Sequence, residues 1–268
     1  MTKTLHEILN LLSSMCDKEV TQTKDFGIEF GTYAEKITKA TTIKSIFVST
    51  CTNFKLIHAM NENKSNLAIT IFPLSIIESG FPLSERDFEM MRSLMTNNIK
   101  TISLSKNWLY SQNGAFGYFL QTLGINQYKH SKESVSQGIN IYRWDIETIS
   151  FKDFLASLSH LTKRWSAFYK TSENQPISLV LENQQVSGEE LAQLKKEGVT
   201  TVVGFNLNSQ RLNAYQENKM NFLFIPIQDY CNIALRKFSQ LLQMKVDQKV
   251  IFQPQDVVGW ISVEDLTN

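Results

Sequence analysis

The stretch SIFVSTCTNFKLIHAMNENKSNLAITIFPLSI, residues 45–76, decides the fold class. Its first seven residues, SIFVSTC, are apolar and β-branched, which is the composition of a buried strand. NFKLIHAMNENK follows with Phe54, Ile57 and His58 at helical spacing. NLAITIFP (66–73) is a second buried strand, ended by Pro73. Strand, helix, strand at this spacing is a βαβ unit, and a parallel pair follows from it.

The pattern continues outward on both sides. SERDFEMMRSLMTNN (84–98) reads as a helix capped by Ser84, with a charged first turn of Glu85, Arg86 and Asp87. IKTISLS (99–105) reads as a third strand, and GAFGYFLQTLGI (114–125) as a helix that ends near Gly124. Before the unit, LHEILNLLSSMC places Leu5, Ile8, Leu9, Leu12 and Met15 on one face of an amphipathic helix, and FGIEFGTY is a short strand marked by Gly27 and Gly31. Residues 126–140, NQYKHSKESVSQGIN, are polar and are expected to form a linker or surface loop between an N-terminal half (1–125) and a C-terminal half (141–268).

The second half repeats the theme. INIYRWDI (139–146) is a strand. SFKDFLASLSHLTKRW (150–165) is a helix with Ser150 as cap. PISLVLEN (176–183), VTTVVGFN (199–206) and NFLFIPI (221–227) are strands. Between them lie a helix at 187–198 with a Ser187–Glu190 capping box and a second helix in SQRLNAYQENK. A helix at 229–244 with Asp229 as its N-cap and a last strand in QKVIFQP complete the chain. The expected fold class is α/β: two similar halves, each a mainly parallel or mixed sheet packed by helices, with a site cleft between them.

The 268 residues contain 27 Lys plus Arg against 26 Asp plus Glu, so no global charge points to nucleic acid or to an anionic membrane. The short basic groups KHSK and LTKRW give a nucleic-acid role little footing. The N-terminal helix is interrupted by polar residues, unlike a signal peptide, and no apolar run has the length of a membrane span. Cys16, Cys51 and Cys231 are far apart and form no CxxC pair, which fits a reducing, cytoplasmic setting.

The search for chemistry returns little. No GxGxxG, P-loop or GxSxG string is present. His6, His58, His130 and His160 are isolated from one another, so a histidine metal cluster is not expected. Cys231 falls in a first helical turn, where a thiolate would be favoured, but packing is the simpler expectation. Asp25 and Asp229 are the acids placed nearest strand ends.

Over nearly its whole length the chain resembles the NGG-one-interacting-factor-three-like family, also known as GTP cyclohydrolase I type 2 homologues. SIFVSTCTNFKLIHAM with NLAITIFPLSI resembles that family's first strand, helix and second strand, and keeps Pro73 and Leu74 of its His-His-Pro-Leu string. NNIKTISLSKNWLYSQNGAFGYFLQTLGI runs against the third strand and its His-Thr-Asn-Leu-Asp segment, with Asn107 and Gly114 matching. DFGIEFG resembles the Asp-Asn-Val-Gly-Leu-Gln-Val-Gly turn. GVTTVVG resembles the strand ending Ile-Thr-Gly-Glu, with Phe205 at the glutamate, and NFLFIPIQDYCN the strand before Gly-His-Tyr-x-Thr-Glu.

The resemblance implies two metal ions between two α/β halves, held by histidines and carboxylates, and ring-shaped homohexamers built from dimers. Carried over residue by residue, those ligands fall on Ile71, Phe72, Ser105, Leu109, Ile227 and Cys231. A shift of one residue at the last pair gives Gln228 and Asn232. Divalent metals need lone-pair or deprotonated donors, so this set is expected to bind no metal and to need no cofactor. The leading expectation is a non-catalytic scaffold that binds a protein partner or a larger assembly. The aromatic stretches NWLYSQNGAFGYF and RWSAFYK are its candidate surfaces, with core packing as the simpler account of both. The alternative is a nucleotide or anion binder, or an enzyme with a rebuilt metal-independent site, using Ser105, Lys106, Asn107, Asp229 and Cys231.

Overall fold

The computed structural model describes residues 2–74, 82–136, 139–168, 176–181, 187–205 and 209–255. The chain divides into two compact units, Met1–Gly114 with Ala234–Asn268, and Ala115–Ile233. The cut therefore does not follow the chain halves expected from the sequence, because the last segment returns to the first unit.

The first unit holds α1 (Leu5–Met15), α2 (Lys18–Thr21), β1 (Phe26–Phe30), α3 (Glu35–Ala40), β2 (Ser45–Ser49), α4 (Phe54–Glu62), β3 (Leu67–Thr70), α5 (Glu85–Thr96), β4 (Lys100–Leu104) and a 3-10 turn at Lys106–Leu109. β2 and β3 are buried along their whole length, as their β-branched sequences predict. The sheet order is β1-β4-β3-β2-β11, where β11 is Lys249–Phe252. Its three pairings from β4 to β11 are parallel, while β1 runs antiparallel to β4 at the edge. α4 and α5 are the crossovers. Asn53 accepts the Leu56 amide and Ser84 accepts the Asp87 amide, so both helices start where a polar side chain meets their open N–H groups. Leu56, Ile57, Met60, Met90 and Leu94 from these helices pack on Phe47, Ala68 and Ile99. Full burial of side chains of this size contributes about 1.5–3 kcal/mol each. α1 turns Leu5, Ile8 and Leu12 inward and is opened by a capping box between Thr4 and Glu7.

The second unit holds α6 (Ala115–Thr122), β5 (Lys129–Ser136), β6 (Ile139–Ser150), α7 (Phe151–Leu161), β7 (Ser166–Phe168), β8 (Pro176–Leu181), α8 (Gly188–Lys196), β9 (Thr201–Gly204), α9 (Ser209–Glu217) and β10 (Asn221–Phe224). α10 (Ile227–Gln243) starts here and carries the chain into the first unit. The sheet order is β5-β6-β8-β9-β10-β7. β8, β9 and β10 are parallel, and the outer pairings are antiparallel. Leu191, Leu194 and Tyr215 from the crossover helices pack on Val202, Phe222 and Phe224. Tyr215 stacks on Phe222, with ring centroids 4.4 Å apart.

One expectation is corrected here, and one is decided in favour of its simpler account. The polar stretch read as a linker contains β5, an edge strand paired with β6 alone among the described residues. Polar and charged side chains are what an edge strand carries to resist pairing with other chains, and they hid it in the sequence. The aromatic stretch around NWLYSQNGAFGYF is core: Trp108, Leu109, Phe116, Tyr118 and Phe119 are all buried. In RWSAFYK, Ser166–Phe168 form β7 against β10, and residues 169–170 lie outside the described residues.

Candidate functional site

Ligands of parallel sheets sit at the carboxyl ends of the strands, and in the first unit those ends converge. β3 ends at Thr70, and the next residues turn back. The Ile71 and Phe72 amides both donate to the Thr50 carbonyl, at 3.1 and 3.0 Å. β4 ends at Leu104, and Ser105 opens the 3-10 turn at φ +74°, ψ 150°. A cluster of short polar contacts joins these ends. The Ser103 hydroxyl donates to the Ile71 carbonyl at 3.1 Å, and the Ser105 amide donates to Ser103 Oγ at 3.1 Å. Ser105 Oγ donates to Asp25 Oδ2 at 3.2 Å and accepts the Asn107 amide at 3.3 Å.

The positions singled out by the resemblance fall in these surroundings. Ile71 and Leu109 are buried and Phe72 is half-buried. None has a side-chain lone pair. Ser105 is buried, and its hydroxyl is already engaged with Asp25 and Asn107. Among the described residues, no three of His, Cys, Asp and Glu gather as a ligand set. Ile71, Phe72 and Leu109 thus offer a metal no donor atom at these strand ends. Of the ligand contacts expected beside them, Lys106 is exposed and Asn107 is half-buried in the 3-10 turn.

In the second unit Ile227 begins α10 half-buried, and Cys231 follows one turn on, fully buried as a packed thiol. Asp229 is not the N-cap expected of it. The helix starts two residues earlier, behind Pro226, whose carbonyl accepts the Tyr230 amide. The Asp229 carboxylate is gripped by Arg164 through Nε at 2.9 Å and Nη2 at 2.5 Å, and Thr162 Oγ1 donates to it at 3.1 Å. Thus it holds the turn after α7 and has little left for a ligand. Phe205 lies against Tyr230, with ring centroids 4.9 Å apart.

The first unit carries a feature that the sequence reading passed over. β1 is bulged between Ile28 and Phe30 in its pairing with β4. A bulge re-aims a side chain, and here it turns Glu29 to accept the Leu74 amide at 2.9 Å, 45 residues along the chain. Burial pushes the Glu29 carboxyl up to about 7, and the neighbouring charge of Asp25 adds to the rise; the Leu74 amide and the nearby Thr101 hydroxyl oppose it. Thr101 falls short of hydrogen-bond geometry, and Glu29 Oε2 is buried without a hydrogen bond. Lys24, Asp25, Phe26, Gly27, Ile28, Glu29, Tyr33 and Pro73 line a pocket of about 210 Å³ at this place. Gly27 makes room in it: at φ +125° a side chain would be strained, and nothing lies within 4 Å of where its Cβ would stand. A lone acid between two glycines, in an otherwise apolar strand, was the available signal for Glu29. Arg164 had none, since its partner is 65 residues away.

No protein-family model and no curated protein sequence matches the chain. Solved structures do. Reduced HcgD from Methanocaldococcus jannaschii superposes with a TM-score of 0.75 at 14% identity, over 94% of this chain and 98% of that one. A Bacillus cereus protein related to NIF3 gives 0.72 at 10% identity, over 98% and 99%. A NIF3 superfamily protein from Sphaerobacter thermophilus gives 0.56 at 10% identity, over 95% and 99%. The chain has the fold of the NIF3-related proteins along essentially its whole length.

Proposed function

We propose, from the NIF3-type fold as premise, that this chain is a metal-free, non-catalytic scaffold that binds a protein partner or a larger assembly. The observation that carries the reading is the occupancy of the strand ends in the first unit. Ile71, Phe72 and Leu109 offer hydrocarbon where the resemblance puts metal ligands, and the one polar replacement, Ser105, has its hydroxyl committed within the chain. Transition metals are held by imidazole, thiolate and carboxylate, and hydrocarbon side chains supply none of them. Binding to a protein keeps the fold useful without that chemistry. Self-association, from a dimer up to a hexamer, belongs to the same reading, as does a cytoplasmic setting. Among the described residues, no helix is long and apolar enough to cross a membrane.

The test is metal content of protein purified without chelator and without an affinity-tag metal. The expected result is below about a tenth of an equivalent of any transition metal per chain, with no saturable uptake on adding zinc or manganese. Stoichiometric metal would overturn the reading.

A further inference from the structure

We infer that the contact between Asp17 and Asn113 is a one-way latch. Closed, it shields the Asn113–Gly114 peptide from deamidation; once Asn113 has lost its amide, the latch cannot close again. The inference does not depend on the scaffold reading above, because it uses none of the positions at which metal ligands are missing.

Asp17 stands at the N-cap position of α2, yet its side chain makes no capping hydrogen bond. Its two oxygens go to Asn113 instead. The Asn113 backbone amide donates to Asp17 Oδ2 at 2.9 Å, and Asn113 Nδ2 donates to Oδ1 at 2.6 Å, across 96 residues of chain. The pair ties the start of α2 to the loop that follows the 3-10 turn.

The residue after Asn113 is a glycine, which puts no side chain beside its own backbone nitrogen. Packing demands it there, since a Cβ would stand on Ser111 and on the Trp108 carbonyl. The fold thus fixes the dipeptide in which a backbone nitrogen most readily reaches the preceding side-chain amide. In the reaction the Gly114 nitrogen bonds to Asn113 Cγ, and the Cγ–Nδ2 bond breaks. The Gly114 N–H proton goes to the departing nitrogen, which leaves as ammonia, and a five-membered succinimide remains. Water then adds to either succinimide carbonyl and opens the ring to aspartate or isoaspartate. Asn113 is exposed, so water reaches it. The closed latch withholds both partners: Asp17 holds Nδ2, and the Gly114 N–H is engaged with the Ser111 carbonyl at 3.2 Å. After the reaction an oxygen stands where the Nδ2 donor stood. A charge-assisted hydrogen bond has become a meeting of two carboxylates, which repel.

The test incubates the full-length chain in mildly alkaline buffer, with and without denaturing urea. Deamidation is read by mass spectrometry of the tryptic peptide 107–129, whose fragments separate Asn113 from Asn107 and Asn126. In the folded parent Asn113 is expected to react far more slowly than in urea. Folded Asp17→Ala is expected to react about tenfold faster than the folded parent, because losing a charge-assisted hydrogen bond raises the open population by about that factor. Asp17→Asn serves in its place if Asp17→Ala does not fold, as circular dichroism will show. Asn113→Gln, whose longer side chain forms the ring poorly, is the control for assignment. The closing step has its own readout. Asn113→Asp, the direct product, is expected to lower the urea midpoint, and adding Asp17→Asn, which exchanges donor and acceptor, is expected to recover most of the loss. The inference falls if the folded parent deamidates at Asn113 as fast as the chain in urea. It falls equally if the folded Asp17 variant reacts no faster than the parent, or if Asn113→Asp keeps the parent's midpoint.

Discussion

The Ser105 hydroxyl donates to Asp25 at 3.2 Å across 80 residues of chain, from a backbone conformation of φ +74°, ψ 150°. That region is almost closed to residues with a Cβ and costs about 1–3 kcal/mol. The strain persists because the surroundings overdetermine it. The amide of Ser105 is tied to Ser103, its carbonyl accepts the Trp108 amide at 3.1 Å, and its hydroxyl bridges Asp25 and Asn107.

Two substitutions at this residue separate strain from bonding. Ser105→Ala keeps the strained backbone and loses both hydroxyl bonds, so a destabilisation of about 2 kcal/mol is expected. Ser105→Gly loses the same bonds but relieves the backbone, and is expected to lie within about 1 kcal/mol of the parent. Urea denaturation of the two variants measures the difference. Equal midpoints would show that the conformation is held without strain.

Glu29 makes stability depend on pH in a direction opposite to that of an ion-paired acid. Its carboxyl is raised from 4.5 to about 7, chiefly by burial. Between those values the folded chain holds a proton that the unfolded chain has released. Stability therefore falls as pH rises through this window, by at most roughly 1 kcal/mol per pH unit, and levels off above about 7. Glu29→Gln keeps an acceptor for the Leu74 amide and removes the ionisation. The variant is expected to match the parent near pH 5 and to exceed it at pH 8. Denaturant midpoints at the two values check the sign, and a parent that gains stability from pH 5 to pH 8 relative to the variant would contradict it.

These two residues mark the boundary of what could be read ahead. The crossovers were legible because β2 and β3 are continuous apolar runs and because Asn53, Ser84, Ser150 and Ser187 are polar caps placed before amphipathic segments. The absence of ligand-type side chains at Ile71, Phe72 and Leu109 was legible for the same local reason, since identity alone decides whether a side chain has a lone pair. What was not legible depends on contacts far apart in sequence. A bulge at Glu29 is a property of register with β4, and the clasp of Asp229 by Arg164 needs the turn after α7 to meet α10. β5 escaped because an edge strand is chosen to look like a loop. Asp229 was misjudged by two residues, because Pro226 opens the helix.

Gly114 is required for space. Its Cβ would stand on the Ser111 hydroxyl and on the backbone carbonyl of Trp108, and a carbonyl inside a 3-10 turn cannot step aside as a flexible side chain would. The Gly114 amide also donates to the Ser111 carbonyl at 3.2 Å, which fixes the approach. Gly114→Ala is expected to cost about 2–3 kcal/mol through the forced shift of the turn. Thermal unfolding followed by circular dichroism measures it, and a melting temperature unchanged from the parent would show that the turn yields.

The Arg164–Asp229 pair tests whether the acid on α10 serves structure. The Asp229 side chain is 6% exposed, while that of Arg164 is 40% exposed. Removing the guanidinium leaves a buried carboxylate with only Thr162 to solvate it, whereas removing the carboxylate leaves a cation that can turn to water. Arg164→Met should therefore be the more harmful change, at about 3 kcal/mol, with Asp229→Asn nearer 1–2 kcal/mol. The double variant should recover part of the Arg164→Met loss, because the uncompensated charge is gone, and a double-mutant cycle in urea reads the coupling directly. If Asp229 were instead held ready for a ligand, Arg164→Met would leave stability nearly unchanged and the cycle would show no coupling. The bidentate geometry argues for the first outcome: two parallel N–H contacts and a third from Thr162 occupy both oxygens of Asp229, and the Arg164 amide is itself tied to Thr162 Oγ1 at 3.1 Å.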